Sequence, residues 1–356
     1  MNYTISGIQQ LGVGVRDLAS AWEWYRLAFG MDVPVFQDEA DAPLMIRYTG
    51  GAVQRRNAVL ALNLRGGAGF EIWQYKSRTP EPPVFSPALG DLGVIAGVMK
   101  SSDVGAAYDH LQSIGADLLG RPVAGPDGVE RFFVRDPNDN LFQIAPGIDW
   151  FGAPGPFGGT GAFGGAGGVI IGTSNIDAAR SVYSDVLRYD HVVYDETGVF
   201  ADLAGVPGSE REVRRVLLVH SESRTGPFSE LLGSSTIELV QPVAGGQRRI
   251  YADRYWGDLG FIHLCYDVRG MDALSKQCSA AGQPFTVDSG QTFDMGDAGG
   301  RFSYIEDPDG TLIEFVETHK IPILKSLGIG LNLTRRPPDR PLPRWIVRML
   351  GLLRVK

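Results

Sequence analysis

Cysteine is nearly absent from this chain of 356 residues, with Cys265 and Cys278 the only two. Two thiols give no disulfide framework, so stability has to come from burial, and the expected compartment is a reducing cytoplasm. No apolar run approaches the roughly 20 residues that would span a bilayer. The N-terminal "MNYTISGIQQLGVGV" lacks the basic stretch followed by an apolar one that marks a signal peptide. There is no excess of positive charge either: the net charge of −8 argues against a nucleic-acid partner. What remains is ordinary for a globular protein, 44% hydrophobic and 21% charged, and long enough for two or more domains. The charge is uneven, however. Nine Lys or Arg and one Asp lie between Lys320 and Lys356, so this tail carries about +8 and the first 319 residues about −16.

Internal repetition is the strongest signal. "GVGVRDLASAWEWYRLAFGM" reads as the end of a strand, then Asp17 as helix cap, then an apolar-periodic helix ending near Gly30. The pattern returns as "GVIIGTSNIDAARSVYSDVLRYD", with Asn175 in the place of Asp17 and Tyr183 in the place of Tyr25. Both units run on to matching strands, "FEIWQY" and "TIELVQP", in which Glu71 and Glu238 are equivalent. A second pair alternates with the first: residues 92–118 match residues 259–285, each a strand then a helix with a glycine, Gly115 or Gly282, near its end. Each leads to a hairpin, "FVRDPNDNLFQIAP" or "YIEDPDGTLIEFVE", in which Gln143 and Glu314 are equivalent.

The chain therefore reads as four βαβββ units, at 5–76, 92–146, 167–242 and 259–318. We expect residues 1–146 to hold the first pair and 168–318 the second. Between them, 147–167 is a glycine-rich linker whose aromatics, Trp150, Phe151, Phe157 and Phe163, suggest that it packs on a surface. Residues 319–356 form a basic tail. In it, "RWIVRMLGLLRVK" suits either an amphipathic helix on an anionic membrane or a segment packed on the acidic body of the protein or of a dimer partner, and the shortness of the helix and the opposite charge of the body favour the second.

"GVGVRDLASAWEWYRLAFGM", "IELVQP" and "EDPDGTLIEF", in four-fold repetition from residue 5 to 318, resemble the vicinal oxygen chelate superfamily of glyoxalase I, extradiol dioxygenases and bleomycin resistance proteins. The resemblance implies an α+β fold in which modules pair into incomplete barrels, two in this chain, with a divalent metal on a concave face. It also implies that each module offers one ligand from its first strand, seven residues before the cap, and one from its last. Those positions are Gln10 and Glu71, Ala96 and Gln143, Gly168 and Glu238, and His263 and Glu314. His263 is the histidine in the middle of an apolar run, "DLGFIHLCYDV". A plainer reading stands beside this one: a core histidine with one hydrogen-bonded neighbour, and glutamates that face water from alternating strands.

Two pairings are open. Modules 1 and 4 together would give Gln10, Glu71, His263 and Glu314, the more complete set. Modules 3 and 4 would give Glu238, His263 and Glu314, which the long linker favours. The completeness of the first set tips the expectation toward it. Cys265 shares a strand face with His263, and Trp73 shares one with Glu71, so both are expected to line the pocket. The resemblance implies one divalent ion per chain (Zn, Ni, Co, Mn or Fe) and a small oxygenated substrate. The expected chemistry is of glyoxalase-like lyase or isomerase type, with Glu314 as ligand and base and Glu71 as its counterpart. With one histidine among eight candidate positions, the two-histidine iron site of extradiol dioxygenases is absent. A dioxygenase with an unusual ligand set and a non-catalytic binding protein are the competing readings. A monomer or homodimer is expected.

Overall fold

The structure is a computed structural model and describes residues 3–155, 161–290, 293–295, 298–324 and 329–355. The expected units are present. The first holds β1 (Thr4–Gly14), α1 (Leu18–Phe29), β2 (Val33–Asp41), β3 (Arg55–Leu62) and β4 (Gly69–Tyr75). The second holds β5 (Gly93–Ser101), α2 (Val104–Ser113), β6 (Asp117–Ala124), β7 (Glu130–Arg135) and β8 (Leu141–Pro146). The third holds β9 (Phe163–Gly172), α3 (Ile176–Tyr183), β10 (His191–Gly198), β11 (Val213–Val219), the short α4 (Ser229–Leu232) and β12 (Thr236–Pro242). The fourth holds β13 (Gly260–Arg269), α5 (Met271–Ala280), β14 (Val287–Asp288), β15 (Phe293–Met295), β16 (Ala298–Glu306) and β17 (Leu312–Leu324). The tail adds β18 (Ile329–Asn332) and α6 (Arg344–Arg348).

Three helices start where the sequence places their caps. Side chains of Asp17, Asp103 and Asn175 accept from the backbone N–H of Ser20, Ala106 and Ala178 at 2.8, 2.9 and 3.0 Å. Each satisfies a donor that the first helical turn would otherwise leave open. Gly270, at the fourth equivalent place, caps α5 with backbone alone.

Pairing follows the outer and inner modules. One sheet runs β14-β16-β17-β13-β1-β4-β3-β2, with β15 and β18 at its margins; the other runs β10-β11-β12-β9-β5-β8-β7-β6. Modules 1 and 4 thus share one incomplete barrel and modules 2 and 3 the other, so residues 1–146 and 168–318 each contribute to both. At the centre of each barrel two first strands lie antiparallel, β1 on β13 and β5 on β9. Each is flanked in parallel by the last strand of its own module. All four candidate ligand positions of a pair therefore fall on the four middle strands.

One core joins the barrels. It takes the convex-face residues of both sheets, such as Phe70, Ile72, Phe142, Leu264, Ile313 and Phe315, together with apolar residues from α1, α2, α3 and α5. Sequence-adjacent modules are clasped there by matched pairs. The Tyr25 hydroxyl donates to Asp136 of the second module's hairpin, and Tyr183 donates to Asp307 of the fourth at 2.8 Å. Asp136 and Asp307 also accept the backbone N–H groups of their own turns.

The glycine-rich linker is shorter than its composition suggests, because β9 begins at Phe163. "GGAGG" is a buried strand. A Cβ on Gly165 would stand 2.4 Å from the Ala68 carbonyl oxygen, and one on Gly168 would stand 2.3 Å from that of Thr236. Backbone crosses backbone there, which only glycine permits. Of the linker aromatics, Phe151 and Phe163 are buried and Trp150 lies under Arg65, while Phe157 falls outside the described residues. Among the described residues, no helix is long and apolar enough to cross a membrane.

The tail packs on its own chain. Leu333, Leu342 and Val347 are buried against Leu60 and Leu62 of β3, Phe151 and Leu231. Arg344 pairs with Glu230 at 2.8 Å and Arg354 with Asp32 at 3.0 Å.

Candidate metal centre

Alternation on β4 and β17 sends Phe70, Ile72, Ile313 and Phe315 to the core, so Glu71 and Glu314 point into the concave face of the outer-module barrel. They do not face water: only 12% and 10% of their side chains is exposed. On β13 the register skips a residue. Gly12 pairs with His263 and Val13 with Phe261, so the bulge at Ile262 turns both Ile262 and His263 inward. His263 is fully buried there. Gly12 makes this possible, since a Cβ at that position would stand 2.5 Å from Cε1 of the imidazole.

Four side chains from the four middle strands meet. His263 Nε2 lies 3.1 Å from Glu314 Oε2 and 3.3 Å from Glu71 Oε2. Gln10 Nε2 donates to the same Glu71 oxygen at 3.1 Å. One ligand-type atom each from Glu71, His263 and Glu314 lies within 4.8 Å of the others. Yet His263 Nε2 meets neither carboxylate with hydrogen-bond geometry. Among the described residues His263 Nε2, Glu314 Oε2 and Gln10 Oε1 are all buried without a hydrogen-bond partner. Leaving buried polar atoms unpaired costs about 1–3 kcal/mol each. Two of these atoms, His263 Nε2 and Glu314 Oε2, stand 3.1 Å apart beside Glu71, and nitrogen and oxygen donors grouped in this way suit a divalent ion.

The electrostatics agree. Burial alone would keep the imidazole neutral, but the Glu314 and Glu71 carboxylates outweigh it and raise His263 from 6.5 to about 10. Burial pushes Glu71 up, and its contact with His263 more than reverses this and holds it below the ordinary carboxylate value. This barrel is built to hold positive charge.

Residues 7–144 match the family model for the Glyoxalase/Bleomycin resistance protein/Dioxygenase superfamily. Glyoxalase I from Zea mays is similar in structure, with a TM-score of 0.55 at 12% identity, over 87% of this chain and 92% of that one. A putative dioxygenase from Bacillus subtilis subsp. subtilis str. 168 gives a TM-score of 0.53 at 14% identity, over 88% of this chain and 86% of that one. No curated protein matches by sequence. The first two modules thus match that superfamily by sequence, and the chain as a whole shares the fold of its solved relatives. Identities this low speak for a shared fold alone, and the site has to be read from its own residues.

Glu238 does not join the other candidates. Modules 3 and 4 do not pair, and Glu238 lies in the inner-module barrel, which corrects the alternative that made it a ligand with His263. Its Oε1 accepts from Arg215 Nε at 2.5 Å and from the Tyr194 hydroxyl at 2.8 Å. Arg215 is fully buried and forks onto Asp202 at 2.8 and 3.0 Å. The remaining equivalents there are Ala96, Gln143 and Gly168, and no side chain fits at Gly168.

Cys265 and Trp73 lie where strand alternation puts them. Cys265 is buried between Gln10 and Glu314 in register, with Sγ 3.6 Å from Gln9 Oε1. Burial first, and Glu314 second, push its thiol well above the ordinary range, so it stays neutral. Trp73 is buried edge-on to Trp256, with ring centroids 4.8 Å apart. Of the other four histidines, none joins this group.

Three neighbours escaped sequence reasoning. Gly12 leaves room for the imidazole. Tyr304, opposite Glu314 on β16, sets its hydroxyl 3.4 Å from His263 Nδ1. Trp256, from the crossover before β13, lies parallel to the imidazole with centroids 6.4 Å apart. Only Tyr304 had a visible signal, at the start of the "YIEDPDGTLIEF" hairpin. A cleft of about 400 Å³ adjoins the site at Trp256 and Ile262, lined also by Tyr48, Tyr251, Arg47 and Arg249.

Proposed function

We propose that this chain is a divalent-metal-dependent enzyme of glyoxalase-like type, with lyase or isomerase chemistry on a small oxygenated substrate. The observation that carries the reading is the buried convergence of Glu71, His263 and Glu314 with three unpartnered polar atoms. Gln10, Glu71, His263 and Glu314 are the residues that would hold the ion, of which Zn, Ni, Co, Mn and Fe all suit the donor set. When bound, such an ion supplies a Lewis acid that polarises a carbonyl or hydroxyl oxygen of the substrate.

The chain supplies the rest. Glu314 takes a proton at Oε2 from the carbon next to the polarised oxygen and returns it to a neighbouring atom. Glu71, across the site, is its counterpart for the opposite face. Tyr304 and Trp256 fix the imidazole plane. The aromatic wall of Trp73, Tyr75 and Trp256 keeps bulk water from the exchanging proton.

The test follows a screen of hydroxy-ketones, α-keto thioesters and catechols against metal-loaded protein. Glu314→Gln should retain a measurable share of the metal, because an amide oxygen still coordinates. It should abolish exchange of the substrate C–H proton with deuterated solvent, because an amide accepts no proton at neutral pH. Oxygen uptake with a catechol would replace this reading with a dioxygenase. Tight ligand binding without turnover would replace it with a binding protein.

A further inference from the structure

The C-terminal extension has two faces, and packing on the body of the chain accounts for only one. The inner face is fixed by buried Leu342 and Val347 and by the Arg344–Glu230 and Arg354–Asp32 pairs. It forms a rigid ridge, α6 followed by a 3-10 turn over Met349–Leu353. The outer face is apolar where a folded chain would gain most from polar residues. Trp345 is 61% exposed and Leu352 69%, and Leu353 is also exposed. Exposed Arg348 lies between these residues in sequence, with its guanidinium carbon 5.9 Å from the centre of the Phe151 ring. Arg335 and Arg340 are exposed just before it. Among the described residues, none of Arg335, Arg340 and Arg348 forms an ion pair.

We propose that this ridge docks on the surface of an anionic lipid membrane. Tryptophan and leucine flanked by arginine match a headgroup boundary, where the rings and chains enter the acyl edge and the guanidinium groups stay with lipid phosphates. Charge fixes the orientation: the tail carries about +8 and the rest of the chain about −16, so an anionic surface attracts the ridge and repels the body. A second copy of the chain fits less well. A two-fold contact through the ridge would bring two clusters of like charge, each with Arg335, Arg340 and Arg348, together. Three apolar side chains also fall far short of the roughly 800 Å² per partner that a stable interface buries. The inner face of the same ridge shares a buried cluster with Leu60, which stands opposite Glu71 in register, so docking would hold this barrel close to the lipid.

The test is co-sedimentation of the full chain with phosphatidylcholine vesicles, with and without phosphatidylglycerol. The chain should pellet with the anionic vesicles only, and added salt should release it. Trp345→Ser with Leu352→Ser should lower the partition coefficient at least about tenfold, as should Arg340→Glu with Arg348→Glu. Unchanged melting temperatures would show that both variants remain folded. Equal binding to neutral vesicles, no binding at all, or variants that bind as the parent does would overturn the proposal. So would a concentration-dependent dimer in sedimentation velocity that Trp345→Ser with Leu352→Ser dissociates, which would make the ridge a self-interface.

Discussion

The two barrels share a topology and differ in how they meet one problem, a buried carboxylate on a last strand. In the outer-module barrel Glu71 and Glu314 stand beside His263, and three polar atoms remain unpartnered. In the inner-module barrel Glu238 is closed off by Arg215, Asp202 and Tyr194. One strand position separates the two outcomes. Leu60 pairs with Glu71 and Leu217 with Glu238, so two residues earlier Ala58 of β3 corresponds to Arg215 of β11. Alanine leaves the outer barrel open beside its carboxylate, whereas arginine fills the inner one with a permanent charge. A guanidinium held against Phe200 at 4.7 Å and forked onto two carboxylates needs no ion. The repeated fold thus carries one place suited to an added cation and one in which the cation is part of the chain.

The largest expected effect breaks the comparison from the inner side. Arg215→Ala removes the cation and leaves Glu238 and Asp202 buried together without it. Losing one partner of a buried network costs about 3–5 kcal/mol. Chemical denaturation should show a loss of that size, and Arg215→Ala combined with Glu238→Gln should recover part of it. A loss below about 1 kcal/mol would mean that the inner network is solvated rather than structural.

Much of this was legible in the sequence because the modules repeat. The caps Asp17, Asp103 and Asn175 set the frame, and counting back from the cap positions reaches Gln10 and His263, which the structure brings to one site with Glu71 and Glu314. Glu238 was a candidate for the same reason, by its place in "TIELVQP". Its neutralising partner was harder to read. Arg215 is 23 residues away, on the neighbouring strand and offset from the cross-strand partner of Glu238, and a motif aligned on the glutamate carries no trace of it. The pairing of modules lay in the completeness of the ligand set and was obscured by the linker. "GGAGG" has the composition of a flexible tether, but it is a strand stripped of side chains so that other backbone can cross it. Gly12 was invisible for a related reason. The absence of a side chain means something only once the ring that occupies its space is known.

A second effect separates the barrels by pH. In metal-free protein the folded value of His263 is raised from 6.5 to about 10. A raised histidine stabilises the fold in its charged form, so the contribution is fully present below about 6.5 and is lost as pH rises through about 10. Arg215 does not titrate in this range, so the inner barrel adds no such slope. Denaturation midpoints of metal-free protein should therefore fall between pH 7 and pH 10, by the equivalent of a few kcal/mol, and those of His263→Gln should stay nearly flat. A parallel fall in both would assign the slope to other groups. Metal should reverse the trend, because it requires the neutral imidazole and binds more tightly as pH rises.

The smallest effect is the most direct comparison, one carboxylate against its repeat equivalent. Glu71→Gln keeps size and one coordinating oxygen but removes a negative charge from the candidate site. Metal affinity should fall by at least the roughly 10- to 100-fold seen when an outer partner of a metal ligand is lost. Glu238→Gln removes a charge that already has its cation in Arg215. It should leave metal affinity and a stoichiometry of about one ion per chain unchanged, while lowering stability through the unbalanced guanidinium. Isothermal titration of each variant with zinc, beside a denaturation curve, reads both quantities. If Glu238→Gln weakens metal binding and Glu71→Gln does not, the ion belongs to the inner barrel and the roles of the two are exchanged. If neither changes it, the unpartnered atoms of the outer barrel serve something other than a metal. His263, held between two glutamates, would then be a buried cation in its own right and the counterpart of Arg215.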